Sequence, residues 1–308
     1  MPRRVYERSL LLSMVCLVVA LSLASAGSGR AMERTAVGGT PFETIGFAWM
    51  RAQVGSEFYY TVFNDPRVLP LTAEYPPLSL PEGAAFYQAG EFLDGSSYMI
   101  DVLSNLHEVE AASGQVVSIV AATPPPTGET YTGMAIDPTT GVMYACSSNF
   151  SGSSTLMTID VATGDAKVLG TVTNAPALQA IAIDGEGSLW GFGSTNDSLL
   201  SINKRDATAV TVGELGYDVH EFGGAGMAWD PIHDVLWAVA FRLDLLRSDL
   251  LAVDRESGST DQSGELGVDF PGGRNLLGWL GLATPEYFDI FADGFESGDT
   301  TAWSNTVP

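Results

Sequence analysis

Residues 133–144 read Gly-Met-Ala-Ile-Asp-Pro-Thr-Thr-Gly-Val-Met-Tyr, and this stretch decides the fold because it returns. Ala180-Ile181-Ala182-Ile183-Asp184 repeats its opening 47 residues on, and Gly226-Met227-Ala228-Trp229-Asp230-Pro231 repeats it 46 residues after that. Each copy is an apolar run, a turn rich in Asp, Gly or Pro, and a second apolar run with an aromatic. The second runs are Met143-Tyr144-Ala145, Leu189-Trp190-Gly191 and Leu236-Trp237-Ala238. Two short β-type runs around such a turn predict a hairpin.

Working outward, each hairpin is followed by a polar loop and a third run, over 156–160, 199–203 and 250–254. A second turn follows, then a fourth run such as Lys167-Val168-Leu169-Gly170 or Ala209-Val210-Thr211-Val212. A more diverged copy lies upstream, with Asp94-Gly95 as its first turn and 116–120 as its fourth run. Four antiparallel strands per unit of about 45 residues is the pattern of a β-propeller blade. One such sheet cannot bury both faces alone, and radial stacking buries each against its neighbour. The fold expected is therefore all-β, a β-propeller. At the ends, 278–283 reads as an innermost strand with nothing behind it. The segments 46–51, 58–63 and 67–71 read as second, third and fourth strands with no innermost strand before them. Joined, they give five four-stranded blades, the last closed by N- and C-terminal strands. Six blades is the alternative, if residues 36–80 hold another sheet.

The run from Gly133 to Tyr144, with Leu156-Met157-Thr158-Ile159-Asp160-Val161-Ala162-Thr163-Gly164 after it, resembles blades of secreted bacterial propellers of the YVTN and quinoprotein-dehydrogenase-like superfamily. The likeness spans roughly residues 40–285. It implies the fold and leaves activity open, because the repeated residues are turn and core residues. Propellers of this kind include binding proteins, lactonases, lyases and quinone enzymes. No tryptophan docking motif for a quinone is present, so no quinone is carried over.

Residues 1–26 have a basic start (Arg3, Arg4, Arg8), an apolar run over 10–23 and Ala24-Ser25-Ala26. That is the pattern of a secretory signal peptide cleaved after Ala26. The run is too short to span a bilayer, so no membrane span is expected in the mature form. The organisation expected is a signal peptide over 1–26, a linker over 27–40, the propeller over 41–285 and an acidic tail over 286–308. The tail's Asp293-Gly294-Phe295-Glu296-Ser297-Gly298-Asp299-Thr300 looks like a C-terminal motif found on many exported bacterial proteins, which implies sorting or surface display. The location expected is secreted, periplasmic or cell-surface.

Composition narrows the partners. The chain has 308 residues, 14 Lys+Arg and 37 Asp+Glu, for a formal charge of −23. Losing the signal peptide makes it −25. Such acidity opposes binding to nucleic acid or anionic membranes. Of two cysteines, Cys16 lies in the signal peptide and Cys146 in an apolar run. No internal disulfide is then available, and Cys146 is read as a buried, inert thiol.

Chemistry is sparse. His107, His220 and His233 fall at different levels of different blades and do not predict a metal site. Asp137, Asp184 and Asp230 are read as carboxylates capping their own turns, as are Asp160 and Asp254 at the other hairpin. No catalytic residue, metal ligand or cofactor is assigned. Calcium alone is weighed, from Asn196, Asp197, Asp293, Glu296 and Asp299, none of which forms a full EF-hand loop. The loops entering innermost strands and those joining second to third strands share one face. Glu82, Tyr131, Gln179, Glu221, Phe222, Arg274 and Asn275 are expected there, rimmed by 147–154 and 241–248. An aromatic, amide and carboxylate set suits a glycan, peptide or protein ligand. The function expected is an exported binding module, monomeric. The alternative is a metal-dependent lactonase- or lyase-like enzyme using channel carboxylates.

Overall fold

In a computed structural model the chain divides into two compact units, Met1–Gly38 and Gly39–Pro308. The structure describes residues 45–52, 58–64, 87–110, 115–220, 225–242, 247–266 and 275–283, all in the second unit. The expected signal peptide and linker, the strand at 67–71 and the acidic tail lie outside the described residues.

Nineteen strands are described. β1 (Ile45–Ala52) and β2 (Phe58–Asn64) come first. One sheet is then built from β3 (Tyr87–Leu93), β4 (Ser96–Asp101), β5 (Asn105–Glu110) and β6 (Val116–Ala121). The next holds β7 (Thr130–Ile136), β8 (Met143–Ser148), β9 (Ser154–Ile159) and β10 (Ala166–Thr171). A third holds β11 (Leu178–Ile183), β12 (Leu189–Gly193), β13 (Ser198–Ile202) and β14 (Ala209–Glu214). A fourth holds β15 (Gly226–Asp230), β16 (Val235–Arg242), β17 (Arg247–Val253) and β18 (Thr260–Leu266). Each is an antiparallel meander in chain order, as the repeat requires. β19 (Asn275–Ala283) pairs with β1, and β1 with β2, in a fifth sheet of three strands.

The fold is thus an all-β propeller with four four-stranded blades. The expectation of five such blades is corrected to that extent, because the fifth sheet has three described strands. No sixth sheet occurs among the described residues. The innermost strands neighbour one another in the cycle β3, β7, β11, β15, β19 and back to β3.

Burial explains the strand composition. β11 is buried at all six positions because both its faces meet other blades, so it needs no polar alternation. The core lies between blades. Ala180, Ala182, Phe192 and Leu199 pack with Met227, Leu236, Ala238 and Leu251 of the following blade. A buried Leu, Ile or Phe contributes about 1.5–3 kcal/mol, so these seams dominate stability. The outermost strand β6 is exposed at four of its six positions, and β10 and β14 at three of six each.

Backbone ties recur at each seam. Thr123 N–H donates to the Gly164 carbonyl, Thr173 N–H to Ala207 and Thr260 N–H to Leu215. The first two link the end of one blade to the third turn of the next, and the last links Leu215, at the end of one blade, to the first residue of β18. Gly213 shows how close the approach is: a Cβ there would lie 1.8 Å from the Ser257 carbonyl oxygen. The register of β3, β7 and β11 shifts at one residue near the start of each, which makes Gln88, Thr132 and Gln179 equivalent.

Candidate functional site

Innermost strands bring four blades to a common axis. Gly90, Gly133, Met134, Ala180, Ile181, Gly226 and Met227 line the space between them, with Thr132 and Ala225. Its volume is about 10 Å³, room for about one water molecule. No carboxylate is among those lining residues, and Met134, Ile181 and Met227 each belong to an apolar cluster packed between blades.

Polar groups gather instead where the chain enters the innermost strands. The bulged residues Gln88, Thr132 and Gln179 stand at this end. The Thr130 hydroxyl donates to Gln88 Oε1. Thr132 Oγ1 donates to the Leu178 carbonyl at 2.9 Å, and Gln179 Nε2 to Ser194 Oγ at 3.2 Å. Glu129, just before β7, accepts from Ser147 Oγ at 2.6 Å and from Ser153 Oγ at 2.5 Å. The loop behind it is held by Asn149, whose Oδ1 accepts from the N–H groups of Ser151, Gly152 and Ser153. A side-chain acceptor satisfying successive N–H groups is how a short loop keeps its shape without a ladder.

The next blades continue this rim. The Asp197 carboxylate accepts from Val219 N–H at 3.0 Å. Burial raises its pKa, and nearby Asp218 adds to the rise. The Tyr217 hydroxyl lies 3.0 Å from Asp249 Oδ2 and 3.2 Å from the Ala240 carbonyl, while the Arg242 guanidinium stands 5.4 Å above its ring. His220 packs edge-on to Phe241. This end of the molecule offers carboxylates, amides, hydroxyls and a stacked cation, a set suited to hydroxyl-rich or peptide ligands.

Of the residues expected to bind ligand, two are described with their side chains. Tyr131 is 1% exposed; its hydroxyl donates to the Thr123 carbonyl at 2.6 Å, and burial pushes its phenol up to about 12. Gln179 is buried too, at the bulge. Asn275 begins β19. Glu82, Glu221, Phe222 and Arg274 lie outside the described residues, as does the middle of the 241–248 loop. Glu129, Tyr217, Asp249 and Arg242 were not singled out by the sequence. The signal for Glu129 lay in the Ser-rich loop 147–154, whose hydroxyls need an acceptor.

The repeated aspartates cap turns. Asp137 Oδ1 accepts from Thr139 N–H, Asp184 Oδ1 from Glu186 and Ser188, and Asp230 Oδ1 from Ile232 and His233. Their second oxygens are also engaged: by Lys204, by Trp190 and Arg255, and by His233 respectively. His107 is buried between the Tyr87 hydroxyl at 3.1 Å and Asp101 Oδ2 at 3.2 Å. The three histidines thus occupy separate places. Cys146 is fully buried, and burial pushes its thiol up to about 12. Among the described residues no three His, Cys, Asp or Glu side chains come together to hold a metal ion. Among the same residues no helix is long and apolar enough to cross a membrane.

No protein-family model matches the sequence, and no curated protein matches it. Solved structures do resemble the fold. A chain from a nidogen/laminin complex superposes with a TM-score of 0.50 at 13% identity, over 78% of this chain and 98% of that one. Regucalcin from Agrobacterium tumefaciens, a calcium-binding protein, gives 0.41 at 12% identity, over 61% and 76%. A virginiamycin B lyase from Staphylococcus aureus gives 0.39 at 14% identity, over 76% and 74%. At 13% identity the likeness to the nidogen/laminin chain shows the fold alone and nothing about activity.

Proposed function

We propose that the protein is an exported binding module that takes a glycan, peptide or protein ligand on the loop face around the partly exposed Glu129, Asp197 and Arg242. The observation that carries this reading is the narrow space between the innermost strands of four blades, which has no carboxylate among its described lining residues. A substrate drawn into it would find room for about one water molecule. The polar groups lie outside that space, at the strand ends, where a ligand is bound on the surface. In the same reading the three-stranded sheet is the fifth blade and closes the ring with strands from both ends of the chain. The signal peptide delivers the protein outside the cytoplasm, and the tail sorts or displays it. Calcium is not required.

Purified protein incubated with γ- and δ-lactones, with and without calcium, magnesium, manganese or zinc, tests the reading. The expected result is no turnover above buffer with any metal. Metal-dependent turnover would establish the lactonase-like enzyme instead. Cell fractionation of a chain truncated after Pro285 tests the tail, and unchanged location would remove its sorting role.

A further inference from the structure

We propose that the loop joining β8 to β9 is a sugar platform, in which Phe150 stacks on a ring of a neutral glycan while Glu129 and the Asn149 amide hold its hydroxyls. This names the ligand class of the binding face proposed above and rests on that reading. Phe150 is partly exposed in the loop and lies in the left-handed region at φ 58°. The loops between second and third strands of the flanking blades give this conformation to Ser104 and Asp197, both small polar residues. A bulky side chain there is an outlier. Such strain persists only where the surroundings over-determine it, and it gathers at ligand clamps.

The surroundings here fix the loop closely. Phe150 N–H donates to Ser148 Oγ at 3.0 Å, and Asn149 N–H to the Ser153 carbonyl at 3.0 Å. Ser148 and Ser154, at the base of the loop, are buried, and Ser154 Oγ donates to Ser148 Oγ at 3.2 Å. Asn149 Oδ1 takes the three N–H groups that follow Phe150. Glu129 clamps both sides of the loop through the Ser147 and Ser153 hydroxyls. The backbone that carries the ring is thus set before a ligand arrives, which lowers the ordering cost of binding.

The hydrogen-bonding capacity left over matches a sugar. Asn149 is exposed, and its Nδ2 has no partner among the described residues. Each Glu129 oxygen takes one serine hydroxyl, and a carboxylate accepts about four bonds, so each oxygen keeps an acceptor site. A sugar hydroxyl donates to such an acceptor and accepts from such an amide. The C–H face of a sugar ring suits the flat, apolar face of Phe150, which has no polar handle of its own. Charge selects further. Asp197 and Asp218 stand at the same end of the molecule, with Arg242 over the Tyr217 ring, and the whole chain carries −23. An anionic sugar is repelled by that field and a neutral one is not.

Isothermal titration of the purified chain with cellohexaose, xylohexaose, mannohexaose and chitohexaose, and with hexagalacturonate as the anionic probe, tests this. At least one neutral sugar is expected to bind saturably, and hexagalacturonate is expected not to bind. Phe150→Tyr should keep the affinity, and Phe150→Gly should weaken it about tenfold or more. Glycine takes φ 58° without strain, so thermal unfolding of Phe150→Gly should match the wild type. Phe150→Asn, which tolerates the same backbone, takes its place if it does not fold. The proposal is overturned if no neutral sugar binds, if hexagalacturonate binds equally, or if Phe150→Gly binds undiminished. Immobilised peptides run beside the sugars separate this from the broader reading. Peptide binding without sugar binding overturns the sugar platform and leaves the binding module standing, whereas lactone turnover removes that reading and this one with it.

Discussion

Lys204, in the third turn of one blade, reaches back to the first turn of the preceding blade and sets its Nζ 2.5 Å from Oδ2 of Asp137. The Asp137 side chain is 1% exposed and that of Lys204 26%. The ammonium also lies 5.8 Å above the Tyr144 ring. The next seam repeats the device, with Arg255 Nη1 3.0 Å from Asp184 Oδ2. Asp137 and Asp184 thus each cap a turn with one oxygen and tie two blades with the other.

Removing the cation leaves a buried carboxylate oxygen without its counter-charge. Lys204→Met is expected to cost about 2 kcal/mol, and so to lower Tm by roughly 4–8 °C. Urea unfolding would measure it, and a loss within experimental scatter would mean that water replaces the ammonium.

Acid should act through the same carboxylate. Burial raises the Asp137 pKa, but hydrogen bonds from Lys204 and Thr139 outweigh it and bring it down to about 2. An unfolded Asp titrates near 3.9. The folded value is the lower one, so this stabilisation is present above about pH 4 and is lost as pH falls through about 2. Asp137→Asn should be less stable than wild type at neutral pH and should lose less stability between these limits. Equal acid slopes in the two proteins would contradict it.

Arg255 divides its two bonds unequally. Asp184 is 3% exposed, while Asp234, 2.7 Å from Nη2, is 64% exposed. Surface pairs contribute little because water and salt screen them. Arg255→Ala is therefore expected to cost about 2 kcal/mol, and Asp234→Asn, which keeps an acceptor for Trp229 Nε1 and tolerates the left-handed backbone at φ 53°, less than about 0.5 kcal/mol. Denaturant titration of both variants separates them, and equal losses would count against the ranking.

The seam between the last two four-stranded blades admits no side chain at Gly213. A Cβ there would overlap the Ser257 carbonyl oxygen at 1.8 Å, and the neighbour in the way is backbone. Gly213→Ala must push the outer strands apart and is expected to destabilise by about 2–3 kcal/mol. Gly141→Ala, at φ 71° with nothing within 4 Å of its Cβ, should cost about 1 kcal/mol from strain alone. The ratio of the two losses is the measurement.

The strand pattern and turn aspartates were legible because a blade's internal contacts are local in sequence. The ties between blades were not, because their partners lie 67 and 71 residues apart. Their signal was nonetheless present. The residue after the third strand's closing Asp or Asn reads Val161, Lys204 and Arg255 in successive blades. In register, the first-turn position it reaches reads Leu93, Asp137 and Asp184. Val161 and Leu93 pack against one apolar cluster, where the later seams hold ion pairs. Tyr131 misled for a related reason. Its position at a strand entry suggested a rim residue, but the preceding loop folds over it and its hydroxyl is spent on Thr123.

Glu91 is the place where the repeat is broken at a cost. It stands two residues beyond Ala89, as Ala135, Ala182 and Ala228 stand two beyond Gly133, Ala180 and Gly226. Its carboxyl thus occupies a seam built for a methyl group. Burial pushes it up to about 8, against the pull of hydrogen bonds from the Phe92 and Ile136 N–H groups. An unfolded Glu titrates near 4.3. The folded value is the higher one, so the fold holds a neutral acid where the unfolded chain has ionised. Stability therefore falls as pH rises from about 4.3 toward about 8. Glu91→Gln keeps the acceptor and removes the titration. It should match the wild type near pH 4 and exceed it at pH 8 by on the order of 2–4 kcal/mol. Urea unfolding at pH 4, 6 and 8 decides between this and a carboxylate already compensated within the seam, for which the two profiles would run parallel.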